Sequence, residues 1–252
     1  MSKLSIKYLS LTFLIMLLNW GLLLLCGLGG ITLHTHKWLY APWLLGGVSP
    51  AIASYVSLKR TNQVANVKEW LKNIFDFKHN VLSYLMVVIL AALFILPQCL
   101  ISGFESQWPL YAIFVMIPMM IVGGGLEEAG WRYVLQPELE KKYSFTVSTL
   151  IVSVIWWLWH LPLFYIQGAG QYGQDYLAFG INVLALSFAL ASIRKNTGSV
   201  WLCVLFHSMV NSLWGIYDVG QNMRGSIAAA AVLILGSCAL VKINEKIKIF
   251  DK

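Results

Sequence analysis

Five polar side chains stand where an apolar chain should not carry them. Glu127, Glu128 and Arg132 lie in Gly123-Gly124-Gly125-Leu126-Glu127-Glu128-Ala129-Gly130-Trp131-Arg132, which continues the apolar run Trp108–Val122. His160 lies in Trp156-Trp157-Leu158-Trp159-His160-Leu161-Pro162, and His207 in Leu205-Phe206-His207-Ser208-Met209-Val210-Asn211. Two adjacent carboxylates at membrane depth cost roughly 2.5 kcal/mol or more each, so a chain keeps them where they are paired, neutral or functional. On a helix Glu128 and Arg132 are i,i+4 and share a face, which predicts an ion pair. Glu127 points about 100° away and is left free. His207 and Asn211 also share a face. A free carboxylate in a dry pocket suits a general base, and His160 can hold the attacked water or shuttle its proton. His207 and Asn211 can donate to the oxyanion of a tetrahedral intermediate. The set reads as hydrolysis of a carbonyl bond, most simply a peptide bond. Zinc is the alternative, held by Glu127, His160 and His207, since carboxylate and imidazole are zinc ligands. No HExxH spacing assigns one.

Each residue alone has a plainer role. An intramembrane His is often a hydrogen bonder between helices, and Glu128 with Arg132 can be a structural pair. Asn211 alone would be packing glue, and Trp156, Trp157 and Trp159 would be wall and interface. Taken together, polar groups from three separate apolar segments point to a site.

The elements that must position them are transmembrane. The chain has 252 residues, 58% hydrophobic and 12% charged, which excludes a soluble domain. The fold class is all-α, a polytopic membrane helix bundle of about eight transmembrane helices. The expected spans are Tyr8–Leu28, Trp38–Leu58, Val81–Ile101, Tyr111–Gln136, Phe145–Ile166, Tyr176–Ile193, Ser199–Tyr217 and a short Ser226–Val241. The first is too long for a signal-peptide core and is expected to be retained. The net charge of +7 is not a nucleic-acid footprint, because the cations gather at alternate loops. Lys3, Lys7, Lys59, Arg60, Lys68, Lys72, Lys78, Lys141, Lys142, Arg194, Lys195, Lys242, Lys246, Lys248 and Lys252 fall in one set, and Lys37 and Arg224 in the other. Fifteen against two places both termini in the cytoplasm of a multi-pass cell-membrane protein.

The fourth and fifth spans form a hairpin turning near Tyr143, sixteen residues after Glu127 and seventeen before His160. At 1.5 Å per residue the two lie at one height, with His207 nearby from the seventh span. Asn62–Lys78 does not span. Val64, Val67, Trp70, Leu71 and Ile74 form one face of an amphipathic helix, lying on the membrane surface or packed on the bundle. His34 and His36 belong to a solvated loop, and Gln167–Gln174 is an outer loop that can shape an opening. Pro97, Pro118 and Pro162 are expected to kink their spans. Cys26, Cys99, Cys203 and Cys238 read as small hydrophobes, and the C-terminus carries no lipidation box.

These motifs make the chain resemble the CPBP (CAAX protease and bacteriocin-processing, Abi) family. Glu127-Glu128-Ala129-Gly130-Trp131-Arg132 matches its EExxxR motif. Trp156 to His160 matches FxxxH, with Trp156 for Phe as a change of pocket shape more than of chemistry. His207 to Asn211 matches HxxxN. Arg194-Lys195-Asn196-Thr197-Gly198-Ser199 is also family-like. Tyr133 stands where many members have Gly. The likeness covers about Met120–Leu213. It implies an intramembrane endopeptidase, glutamic-type or metal-dependent, in which Glu127 activates water with His160, Arg132 positions Glu128, and His207 with Asn211 stabilises the oxyanion. The expected domains are residues 1–105 (three spans and the surface helix), 106–220 (catalytic core) and 221–252 (last span and basic tail). The implied partners are the lipid bilayer and a hydrophobic or membrane-bound peptide, as in bacteriocin or peptide-signal maturation or self-immunity. The alternative is a non-catalytic membrane scaffold or immunity protein binding a peptide in the same cavity.

Overall fold

The structure is a computed structural model, and it describes residues 2–218 and 223–250. Lys252, the last cation of the basic tail, lies outside the described residues. Helix α1 (Lys3–Leu28) begins where the Ser2 side chain accepts the Ser5 N–H. It crosses as one uninterrupted rod, with Leu17, Leu18 and Leu25 exposed towards lipid. The second expected span is not one helix. A short 3-10 turn leads into α2 (Tyr40–Gly47), and α3 (Ser49–Arg60) follows after a break at Val48. Pro50 explains the break, because it has no N–H to give to the preceding turn.

Gly46 brings α2 against α1. A Cβ there would lie 2.2 Å from Trp20 Nε1, so only glycine leaves room for the indole. That indole donates to the Trp43 carbonyl at 3.0 Å and stacks at a tilt on Trp159, 4.7 Å between centroids. The first spans are thereby keyed into the half of the chain that carries the polar residues.

The amphipathic segment is shorter than its pattern. Only α4 (Val67–Ile74) is helical, started by the Asn66 side chain accepting the Glu69 N–H. It is packed on the bundle: Trp70 and Ile74 are buried, and Trp70 Nε1 donates to Ser54 Oγ at 3.1 Å. Asn73 Nδ2 donates to the Tyr133 hydroxyl at 3.0 Å. The Tyr in place of the family's Gly is therefore a tether for this helix.

Helix α5 (Val81–Ser102) is capped by Asn80 and carries Pro97 within it. The fourth span runs over Leu110–Glu140 and changes character along its length. Helix α6 (Ile113–Val122) gives way to the glycines and a 3-10 turn at Gly125–Glu127. A single turn, α7 (Glu128–Gly130), leads into a π-helical turn at Trp131–Leu135 and then α8 (Gln136–Glu140). Helix α9 (Phe145–Trp159) is capped by Ser144 and ends at His160, where Pro162 turns the chain into a 3-10 segment, Leu161–Tyr165. Helix α10 (Tyr176–Thr197) is capped by Asp175 and stopped by Gly198 at φ 66°, the left-handed conformation that favours glycine. It is the most enclosed of the spans and packs on α9. Helix α11 (Val200–Ile216) starts at Ser199, and α12 (Met223–Ile247) packs against α10 and α5. Two-residue strands β1 (Glu105–Ser106) and β2 (Tyr217–Asp218) pair antiparallel between α5 and α12 along the chain.

The architecture is the all-α polytopic bundle. Among the described residues, six segments are long and apolar enough to cross a membrane on their own. The other two of the eight expected spans are α11, with 17 residues, and the broken α2–α3 pair. The last span is longer than its short apolar run and reaches 25 residues.

Gly46 and its neighbour provide a stability test. Gly46→Ala forces Trp20 to move and should cost about 1–3 kcal/mol, as overpacking does. Gly47→Ala meets open space and should leave the melting temperature in detergent nearly unchanged.

Candidate active site

The irregular fourth span places both glutamates on inward-facing turns. Glu127 is 7% exposed, and Glu128 and Arg132 are fully buried. Glu128 is the junction of the cluster. Its Oε2 lies 3.2 Å from Arg132 Nη1, and its Oε1 accepts from His207 Nδ1 at 2.8 Å. The ion pair matches the i,i+4 expectation. The bond from His207, seventy-nine residues away, has no sequence signal. It takes up Nδ1 and leaves Nε2 as the ring's remaining polar atom.

Arg132 has no room for Lys-like freedom. Its guanidinium lies over the Trp156 ring, 5.0 Å from the centroid, and Arg194 Nε donates to the Arg132 carbonyl at 3.3 Å. A planar cation suits this slot between a carboxylate and an aromatic face.

Glu127 has a partner that the motif did not announce. Trp156 Nε1 donates to its Oε2 at 2.7 Å. The exchange of Phe for Trp is thus a change of chemistry as well as of shape, since Phe has no N–H to give. Trp156 also accepts, through its carbonyl, the Nδ1–H of His160 at 2.8 Å. This is a bond within α9, so His160 is not cross-linking helices. In the neutral ring that bond leaves the Nε2 lone pair as an acceptor. Trp156 packs edge-on against His207, 5.4 Å between centroids. One indole therefore touches Glu127, Arg132, His160 and His207.

Glu127, His160, His207 and Asn211 all line one cavity of about 400 Å³. Glu128 and Arg132 do not line it; they lie behind His207. The backbone of the glycine stretch forms part of the wall. A Cβ on Gly124 would lie 2.3 Å from Asn211 Nδ2 and 3.1 Å from His207 Nε2. The close neighbour that Gly124 admits is the HxxxN pair. Trp20 and Trp43, from spans with no motif, complete the apolar wall. No hydrophobic period distinguishes them from lipid-facing residues.

Among the described residues, no group of three or more His, Cys, Asp or Glu side chains is arranged to hold a metal ion. Glu127, His160 and His207 share the cavity without forming such a group. The four cysteines are free, with Cys203 buried.

Comparison with known proteins now bears on this geometry. Residues 107–213 match the model of the type II CAAX prenyl endopeptidase Rce1-like family. That stretch contains all six polar residues of the cluster. This core is similar to the Rce1-like family. CAAX prenyl protease 2 of Methanococcus maripaludis is 24% identical over 238 residues, 86% of this chain and 87% of that protein. The similarity thus reaches beyond residues 107–213, into parts of the chain where no motif is visible. The chain is a multi-pass membrane bundle similar to membrane proteases, and the cluster lies in its core.

Two substitutions separate the roles. Arg132→Met leaves Glu128 short of its cation and should lower stability by about 3 kcal/mol or more, as breaking a buried pair does. Trp156→Phe keeps the ring and deletes one hydrogen bond to a carboxylate, worth about 1.5–3 kcal/mol. Peptidase kcat should fall about ten- to a hundredfold with KM little changed. An equal loss in KM would assign Trp156 to substrate binding instead.

Proposed function

We propose that this chain is an intramembrane endopeptidase that hydrolyses a peptide bond of a hydrophobic or membrane-associated peptide with water activated by Glu127. The observation that carries the reading is the meeting of Glu127, His160, His207 and Asn211 at a single cavity. Its volume lies in the usual range for small-molecule and peptide sites.

Trp156 occupies Glu127 Oε2, so Oε1 is the oxygen left to take a proton from water. His160 Nε2 accepts the second hydrogen of that water and aims its lone pair. The hydroxide equivalent attacks the carbonyl carbon, and the carbonyl oxygen becomes an oxyanion. Asn211 Nδ2 and, in the doubly protonated ring, His207 Nε2 donate to it. Glu128 stabilises that imidazolium through Nδ1, and Arg132 holds the Glu128 carboxylate in place. Collapse of the intermediate breaks the C–N bond, and the proton held on Glu127 passes to the departing amine. Arg132 and Glu128 are positioning residues; they act through His207.

The Methanococcus protein is named for prenylated CAAX substrates, so a farnesylated C-terminal peptide is one substrate to try. The others are hydrophobic peptides of the bacteriocin and peptide-signal kind. The membrane is the cell membrane, with both termini in the cytoplasm, as the distribution of Lys and Arg supports.

The test uses the purified full chain in liposomes with both peptide classes. Parent protein should cleave at least one, and should keep doing so after exhaustive chelation. Glu127→Gln should lose about a thousandfold or more. Asn211→Ala should lose about 10²–10³-fold in kcat, the usual cost of one oxyanion donor. Full activity in Glu127→Gln would overturn the mechanism. Peptide binding without cleavage by the parent would leave a scaffold or immunity protein.

A further inference from the structure

The polar face of the fourth span does not end at Arg132. Glu128, Arg132, Gln136 and Glu140 recur at every fourth residue, so they follow one another along one side of the helix. Long side chains on a helix lean towards its N-terminus, each over the turn before its own. Two members of the row show this lean directly. The Arg132 guanidinium reaches back to Glu128, with Nη1 at 3.2 Å from Oε2, and the Glu140 carboxylate reaches back to accept from Gln136 Nε2 at 2.7 Å. Gln136 is the member between them, and the turn before its own is the one that carries Arg132.

Gln136 is 1% exposed, and its carboxamide has a fixed sense. Nε2 donates to Glu140 Oε1 and also to Thr149 Oγ1 on α9, at 3.2 Å. The Thr149 hydroxyl gives its own hydrogen to the Phe145 carbonyl at 2.7 Å, so towards Gln136 it accepts. A carboxylate accepts too. Two acceptors therefore take both amide hydrogens, and the amide cannot be turned end for end. The oxygen, Oε1, is left as a buried acceptor with no hydrogen bond. Arg132 presents the complement. It is fully buried, and beyond its ion pair with Glu128 none of Nε, Nη1 and Nη2 makes a hydrogen bond. A guanidinium has five N–H donors, and one carboxylate oxygen cannot use them all. Buried donors and acceptors are paired in native proteins, with each other or across a bound water.

We infer that the Gln136 carboxamide oxygen is the second acceptor for the Arg132 guanidinium, joined to it by one bound water. Gln136 is then a further positioning residue for the peptidase reaction, and in that role it rests on the protease reading. It acts through Arg132, Glu128 and His207 in turn. A guanidinium held only by Glu128 is free to pivot about that contact. Held from the Gln136 side as well, it fixes the plane of the Glu128 carboxylate, and with it the direction in which Oε1 receives His207 Nδ1. Thr149 carries the hold across to α9, the helix that ends at His160. The brace thus links the seventh, fourth and fifth spans behind the cavity, and no member of it beyond His207 lines the cavity itself.

The test is a double-mutant cycle on the purified full chain in liposomes, with the farnesylated and the hydrophobic peptides as substrates. Gln136→Leu should lower kcat about tenfold, the loss of one hydrogen bond to a charged group, with KM unchanged. Gln136→Glu keeps an oxygen for Arg132 and should restore most of that loss. Arg132→Lys keeps the charge beside Glu128 but has no second edge to offer. In that background Gln136→Leu should cost less than about twofold, because the partner it acts through is already gone. Gln136→Met takes the place of Gln136→Leu should leucine prevent folding. The same cycle is read in melting temperature, which needs no activity, and there too the loss should shrink in the Arg132→Lys background. An unchanged kcat in Gln136→Leu, or an equal fold-loss with and without Arg132→Lys, overturns the inference and leaves Gln136 as a tether between α8 and α9. No cleavage by the parent removes the protease reading instead. Coupled melting temperatures then uphold the link between Gln136 and Arg132, and additive ones overturn it.

Discussion

Two carboxylates, a guanidinium and two imidazoles sit in the middle of an apolar bundle, and keeping them there is the constraint around which the rest is arranged. Glu128 solves most of it. One oxygen faces Arg132 and the other accepts from His207. A charge so placed is tolerable only while both partners stay in position, because an isolated buried carboxylate is far costlier than a paired one. The pair is therefore a fixed point. It ties the fourth span to the seventh and determines how the His207 ring is turned, and with it which nitrogen looks into the cavity.

The backbone of the fourth span departs from a regular helix for the same reason. Three glycines, a 3-10 turn and a π-helical turn succeed one another between Val122 and Gln136. Irregular backbone at membrane depth is tolerated where protein or a cavity covers it. Here Gly124 and Gly125 lie against α11, with room for no Cβ. The irregularity lets Glu127 face the cavity while the adjacent Glu128 turns behind it. The cavity wall at this point is main chain, so its shape depends on glycine rather than on any side chain.

Trp156 joins the two halves of the chemistry. Its N–H holds Glu127, its carbonyl holds His160, and its ring covers Arg132. Trp159, one turn on, receives Trp20 and Trp131 on its ring. The aromatic stack thus runs from the reacting groups into the first span, which has no polar contribution of its own.

Much of this protein was legible one residue at a time. Long apolar runs require helices in lipid, because every backbone polar group must be bonded within its own segment. Charges at alternate loops state which ends belong together. The i,i+4 spacing of Glu128 and Arg132 is local geometry, and so is their pairing. The motifs around Glu127, His160 and His207 marked the residues that stand together at the site. Other features depend on contacts far apart in the chain, which no spacing encodes. The bond from His207 to Glu128 is one. Trp156 as the partner of Glu127 is another, because an indole in an apolar run reads as wall until its N–H is seen to meet an acid. The break at Val48 and the docking of Trp70 on Ser54 were likewise decided by packing. Hydrophobic periodicity tells which residues leave water, but in a membrane both lipid and protein interior are apolar. Only the tertiary structure distinguishes the side chain that faces lipid from the one that faces the cavity.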